Sequence, residues 1–183
     1  MAIKNAFKEL GIASHERVVV SGVGCSGKSS QYIDGYAAET LHGRTLPFAT
    51  GVKMANPKLT VMAVGGDGDG YGIGMGHFIH ACRRNLDMTY IVFNNENYAL
   101  TTGQASPTTP IGAVTKTTPD GNTTTPLDPI ALATHAGCTF AKRAYSKNFA
   151  ELKEIIKEAI QHPGFALVDV TQDCPSFRRW AAN

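Results

Sequence analysis

The sequence lacks any run near the roughly 18 consecutive apolar residues that a membrane-spanning helix requires. Charge is sparse as well: 17% of the 183 residues are charged and the net charge is +2. No cluster of lysines and arginines forms the basic stripe that nucleic acid demands. Neither a membrane nor a nucleic acid is an expected partner. The first ten residues carry Lys4, Lys8 and Glu9 where a signal peptide would place its apolar centre, so the expected location is cytoplasmic. The four cysteines, Cys25, Cys82, Cys138 and Cys174, include no C-x-x-C pair. In a reducing compartment they are expected as thiols or cluster ligands and not as disulfides. Apolar residues make up 43%. That composition and length suit one globular domain with a real core, expected to span residues 1–183.

What is present is an alternation of helical and extended patterns. Ile3, Ala6, Phe7 and Leu10 recur at helical spacing before Gly11. Residues 17–21 form an apolar strand that runs into a glycine-rich loop. Residues 47–55 form a short helix closed by Asn56-Pro57, because the residue before proline is pushed out of the helical region. Residues 59–64 form a second strand, 73–85 a helix, and 88–93 a third strand that ends in Asn94-Asn95. Residues 96–127 are rich in Thr, Pro and Gly and show no core pattern. A loop of this length in a compact domain argues for a function. Asp128-Pro129 opens another helix, residues 139–144 form a strand, and Asn148 with Glu151 resembles a capping box before the helix 152–161. Residues 165–170 form the last strand. Strands apolar on both faces, alternating with helices, predict an α/β fold: a three-layer, doubly wound parallel sheet.

In such a sheet, ligands bind beyond the carboxyl ends of the strands. Asp67 follows one strand and Asn95 the next, so both project over the same edge. Neighbouring strands lie about 4.8 Å apart, close enough for the two side chains to reach one ion. Mg²⁺ takes oxygen ligands at about 2.0–2.1 Å in an octahedron and commonly accepts phosphate oxygens among them. The glycines at 65, 66, 68 and 70 let the backbone approach phosphates closely, and the following helix adds its positive end. An EF-hand reading of Asp67-Gly-Asp69-Gly fails, because no glutamate closes a 12-residue loop. A competing pattern stands earlier in the chain. Gly22-Val23-Gly24-Cys25-Ser26-Gly27-Lys28-Ser29 satisfies the P-loop signature after a strand. That reading requires a helix from Lys28, where the helical pattern is weak and Gly35 interrupts it. It also leaves the pairing of Asp67 with Asn95 unexplained.

Gly66-Asp67-Gly68, with Asn95 some 28 residues beyond the aspartate, resembles the metal-binding motif of thiamine diphosphate enzymes. By that resemblance the carbonyl of Asn97 is the third protein ligand of Mg²⁺. The similarity runs on through Gly24-Cys25-Ser26-Gly27-Lys28, Leu41-His42-Gly43-Arg44, Ala49-Thr50-Gly51-Val52-Lys53, Gly74-Met75-Gly76-His77 and Leu100-Thr101-Thr102-Gly103-Gln104-Ala105-Ser106-Pro107, ending near Cys174-Pro175. In order and through nearly the whole chain, these segments resemble the β subunits of 2-oxoacid:ferredoxin oxidoreductases.

The resemblance implies Mg²⁺ and thiamine diphosphate as cofactors and coenzyme A-dependent oxidative decarboxylation of a 2-oxoacid. 2-Oxoglutarate and pyruvate are both open as substrates, and electrons pass to ferredoxin. It implies cofactor contacts from Val23, Gly24, Cys25, Ser26, His42, Gly68, Asp69, Ala99 and Leu100, with His42 also the expected catalytic residue. Cys25 and Cys174 align with iron–sulfur ligands. The family's other two cysteines come from a CPGCG segment that this chain begins too late to contain, so either the N-terminus is missing or the [4Fe–4S] cluster has been lost. The family's activating glutamate lies on a separate pyrimidine-binding domain, so an α (or α/γ) partner subunit is implied. A truncated, non-catalytic assembly subunit is the remaining alternative. Cys82 and Cys138 read as small buried thiols, and His77 and His80 as a helical pair without a third metal ligand.

Overall fold

The computed structural model describes residues 1–177. Its helices are α1 (Ala2–Glu9), α2 (Thr45–Ala55), α3 (Met75–Arg84), α4 (Pro129–His135) and α5 (Phe149–Gln161). Its strands are β1 (Arg17–Ser21), β2 (Tyr36–Glu39), β3 (Thr60–Gly66), β4 (Met88–Asn94), β5 (Asn97–Tyr98), β6 (Gln104–Ala105), β7 (Phe140–Tyr145) and β8 (Phe165–Thr171). Six strands form one parallel sheet in the order β2-β1-β3-β4-β8-β7. The doubly wound α/β expectation therefore holds.

Strand alternation divides the core in two. Val19, Met62, Val64, Ile91, Val168 and Val170 face α1 and α5. Val18, Val20, Val61, Ala63, Val92 and Leu167 face α2, α3 and α4. Both faces are buried, which is why these strands read as continuous apolar runs. Phe7 on α1 is fully buried, worth roughly 1.5–3 kcal/mol for one such side chain. The two helix starts legible in sequence are made as expected. The Asp128 carboxylate accepts the N–H groups of Ile130 and Ala131. Asn148 accepts the N–H of Glu151, whose carboxylate receives the Asn148 amide in return.

Several details differ from the expectations. α2 begins at Thr45, ahead of Pro47. α3 begins at Met75, because Gly68–Ile73 form a wide π-type turn first. β2 was not expected: Tyr36–Glu39 is an exposed edge strand without apolar alternation, and only its pairing with β1 makes it extended. The long loop contains a two-residue-per-arm hairpin, β5 with β6. Cys25–Tyr32 form 3-10 turns, so the α-helix that a P-loop needs from Lys28 is absent.

The chain passes from β1 outward to β2, then returns to place β3 on the other side of β1. The carboxyl ends of β1 and β3 are therefore a topological switch point. The crevice opened there is where doubly wound sheets hold ligands.

Candidate functional site

Four segments meet at that edge: the loop after β1, the loop before α2, the turn after β3, and the chain leaving β4. Between them lies a cleft open to solvent, with about 680 Å³ of empty space counting its open mouth. Val23, Gly24, Cys25, Ser26, His42, Asp67, Gly68, Asp69, Asn95, Asn97, Ala99 and Leu100 all line it. These are all the residues singled out from sequence except Cys174, which is buried and lies outside the lining. Phe93, Tyr98, Thr101 and Gln172 also line the pocket and were missed. Tyr98 had a signal, since it lies between two residues already assigned there.

The floor is a cluster of oxygens. Asp67 is 2% exposed. One atom of the Asn95 amide lies 2.7 Å from the carbonyl oxygen of Asn97 and 3.2 Å from Asp67 Oδ1. That atom is Oδ1 in the orientation where the Asn97 N–H donates to it at 3.3 Å. Turned over, the amide would put its NH₂ there and donate to both neighbours. With oxygen in place, three acceptors converge with no hydrogen between them. Cis ligands of an octahedral ion at 2.0–2.1 Å are themselves about 2.9 Å apart, and the two separations from the Asn95 oxygen lie on either side of that value. The Asn97 amide donates to the Asn95 carbonyl at 2.8 Å. Its own Oδ1 is buried without a hydrogen-bond partner, one more acceptor in an acceptor-rich site.

Burial pushes the Asp67 carboxyl up to about 6, against the hydrogen bonds from Ser106 and Thr108, which favour the anion. A cation placed among these oxygens would reverse that balance. Burial likewise raises the Tyr98 phenol at the pocket wall.

Asp69 is also buried, but its acceptors are taken up by the protein. Its carboxylate receives the N–H of Gly43 at 2.7 Å, the N–H of Val23 at 3.4 Å and the Thr45 hydroxyl at 3.3 Å. His42 Nδ1 lies 3.2 Å from Asp69 Oδ1. A Cβ on Gly22 would sit 2.6 Å from the Asp69 carboxyl carbon, so the glycine is needed for the close approach. Asp69 thus ties the first two loops to the turn after β3 and holds His42, a pocket-lining residue, through Nδ1. The same contacts dispose of the P-loop reading, since the Val23 N–H is directed at an internal carboxylate. Cys25 is exposed at the pocket lip. Among the described residues no three His, Cys, Asp or Glu side chains converge as a metal group. Cys82 and Cys138 are buried thiols, as expected.

The family model described as the thiamine pyrophosphate enzyme C-terminal TPP binding domain matches residues 12–170. A 2-oxoacid:ferredoxin oxidoreductase subunit beta from Saccharolobus solfataricus is 51% identical over 96% of this chain and 58% of its own length. A 2-oxoglutarate synthase β-type subunit from Archaeoglobus fulgidus is 48% identical over 97% of this chain and 65% of its own length. A solved 2-oxoglutarate:ferredoxin oxidoreductase from Magnetococcus marinus, holding 2-oxoglutarate, coenzyme A and succinyl-CoA, superposes with a TM-score of 0.96 at 40% identity. That match covers 97% of this chain and 61% of the other. The chain thus spans about three fifths of the relatives it matches. The chain belongs to the thiamine pyrophosphate enzymes, carries their C-terminal TPP-binding domain, and is a homologue of the β subunits of 2-oxoacid:ferredoxin oxidoreductases.

Proposed function

We propose that this protein is the cofactor-holding β subunit of a 2-oxoacid:ferredoxin oxidoreductase. The observation that carries the reading is the Asn95 amide oxygen set within 2.7 Å of the Asn97 carbonyl and 3.2 Å of Asp67 Oδ1, in a chain whose family model is a thiamine pyrophosphate-binding domain. These three oxygens would hold Mg²⁺, which would supply the positive charge that a diphosphate needs there. Val23 to Ser26, Gly68, Ala99 and Leu100 line the path of the cofactor. Bound thiamine diphosphate supplies the electron sink for decarboxylation of a 2-oxoacid. His42, held by Asp69 through Nδ1, lines the pocket as the polar and proton-exchanging group beside the cofactor. Of the two candidate substrates, the neighbour with bound 2-oxoglutarate and coenzyme A favours 2-oxoglutarate.

The partners in this reading are an α (or α/γ) subunit that completes the active site, coenzyme A, the 2-oxoacid and ferredoxin. No helix among the described residues is long and apolar enough to cross a membrane, and we place the protein in the cytoplasm. Cys25 and Cys174 would be two of the four thiolates of a [4Fe–4S] cluster. The described residues supply no third ligand, so they do not fit a cluster by themselves, and no part of this proposal is routed through one. Calorimetric titration tests the reading. Thiamine diphosphate should bind in the presence of Mg²⁺, binding should be lost in Asp67→Ala, and ATP should not bind. Unchanged thiamine diphosphate affinity in Asp67→Ala refutes the site.

A further inference from the structure

The long loop between β5 and α4 carries a run of hydroxyls, Ser106-Pro107-Thr108-Thr109, two of which reach the Asp67 carboxylate. All three hydroxyl residues are buried. None of the three lines the pocket. The Thr108 hydroxyl sits 3.0 Å from Asp67 Oδ2 and 2.9 Å from Asn94 Oδ1. It has one proton and two acceptors to choose between. Asn94 directs its NH₂ at the buried Asp169 carboxylate at 3.2 Å, which turns its Oδ1 toward Thr108 and the Glu96 N–H. Since Glu96 supplies Asn94 Oδ1 with a donor, the Thr108 proton is free for Asp67. A hydrogen bond to an ionised carboxylate is the stronger of the two.

The two Asp67 oxygens are thereby divided. Oδ1 lies 3.2 Å from the Asn95 amide atom, and Oδ2 takes the Thr108 hydroxyl. The neighbouring threonine does the same for the other ligand segment. Thr109 Oγ1 donates to the Glu96 carbonyl at 2.6 Å and accepts the Ser106 N–H at 2.7 Å. Glu96 is the residue between Asn95 and Asn97. One turn of the loop therefore grips both the strand-end aspartate and the asparagine turn.

We propose that Thr108 is a positioning residue for the Mg²⁺ site: its hydroxyl fixes the Asp67 carboxylate so that Oδ1 faces the ion, while Thr109 fixes the Asn95–Asn97 turn. This rests on the metal-site reading above. Groups that hydrogen-bond a metal's ligands typically change metal affinity 10–100-fold when removed.

The test uses the full-length protein in its native assembly. Thr108→Val keeps the shape and removes the hydroxyl, Thr108→Ser keeps the hydroxyl, and Asp67→Ala is the reference. The quantity measured is the Mg²⁺ concentration for half-maximal thiamine diphosphate binding by calorimetry, alongside the metal-free melting temperature. Thr108→Val should need about 10–100-fold more Mg²⁺, Thr108→Ser should stay within about threefold of the unaltered protein, and metal-free melting should match in all three. If Thr108→Val melts early, Thr108→Ala repeats the test without the added methyl. Thr108→Val within threefold of the unaltered protein overturns the proposal, as does Thr108→Ser as weak as Thr108→Val. Should Asp67→Ala abolish Mg²⁺-dependent binding while Thr108→Val does not, the positioning role alone fails. If Asp67→Ala also binds normally, the metal site itself is wrong.

Discussion

Gly68 and Gly70 flank Asp69 on one turn, and each lies against a tyrosine, yet alanine at the two positions should do opposite things. A Cβ on Gly68 would stand 2.5 Å from Tyr98 Cδ1 and 2.8 Å from Cζ. It would press hardest on Cε1, and ordinary contact begins near 3.4 Å, so the ring must retreat by more than about 1 Å. Tyr98 borders the pocket and has that space to move into. A Cβ on Gly70 would press on the Tyr90 hydroxyl and lie 3.1 Å from Cζ. Tyr90 is 1% exposed, packed near Phe78 and Phe165, and has nowhere to go.

Overpacking a closed core costs about 1–3 kcal/mol. For a chain of this size each kcal/mol lowers the melting temperature by roughly 2–4 °C. At about 2 kcal/mol, the middle of that range, Gly70→Ala should therefore melt about 4–8 °C lower without cofactor. Gly68→Ala should melt within about 2 °C of the unaltered protein, yet bind Mg²⁺ and thiamine diphosphate roughly tenfold more weakly, a difference of about 1.4 kcal/mol. Differential scanning fluorimetry with and without cofactor, together with calorimetric titration, separates the two effects. Early melting of Gly68→Ala with normal cofactor affinity, or normal melting of Gly70→Ala, would refute the reasoning.

Three further outcomes follow from the buried polar groups. Burial raises Asp67 from 3.8 to about 6 and raises Asp169 as well. A fold that binds protons more tightly than the unfolded chain gains stability as pH falls. The metal-free protein should thus become more stable between pH 7 and about 5, whereas Mg²⁺-dependent thiamine diphosphate binding should weaken below about 6. A cofactor-induced melting shift that is flat from pH 5 to 8 contradicts this. Asp169 accepts Tyr71 Oη at 3.0 Å, Asn94 Nδ2 at 3.2 Å and Arg143 Nε at 3.1 Å. Asp169→Ala strands two buried donors and should cost about 2–4 kcal/mol in urea unfolding. Arg143→Gln, whose side chain is half exposed, should cost under about 1 kcal/mol; equal losses would disprove the asymmetry. Asn122 donates to the carbonyls of Thr109 and Thr124 and accepts the Thr124 N–H. Asn122→Ala should raise hydrogen exchange about tenfold in residues 105–124 with little change in melting temperature; unchanged exchange there argues against the lock.

The sheet was legible because its strands are buried on both faces and therefore apolar throughout, as Val18-Val19-Val20 and Val61-Met62-Ala63-Val64 show. β2 was not legible, since an exposed edge strand has no such pattern and depends on its neighbour for its conformation. The meeting of Asp67 with Asn95 was legible because both follow strand ends, whose positions follow from the strands; Asn97 came from the family resemblance alone. Asp69 was read only as a cofactor contact. Nothing local distinguishes an aspartate that faces a ligand from one that gathers loops arriving from residues 23, 43 and 45. The hydroxyl run at 106–109 was hidden for the same reason at longer range. Its partners are Asp67, Asn94 and Glu96, up to 41 residues away, and a Ser-Pro-Thr-Thr sequence in a polar loop looks like ordinary turn chemistry. A loop this long stays ordered without an apolar core because its polar groups face other buried polar groups. Its order is then tied to the geometry of Asp67 and the Asn94–Asn97 segment, so a change at Thr108 or Thr109 should be felt there before it is felt in the sheet.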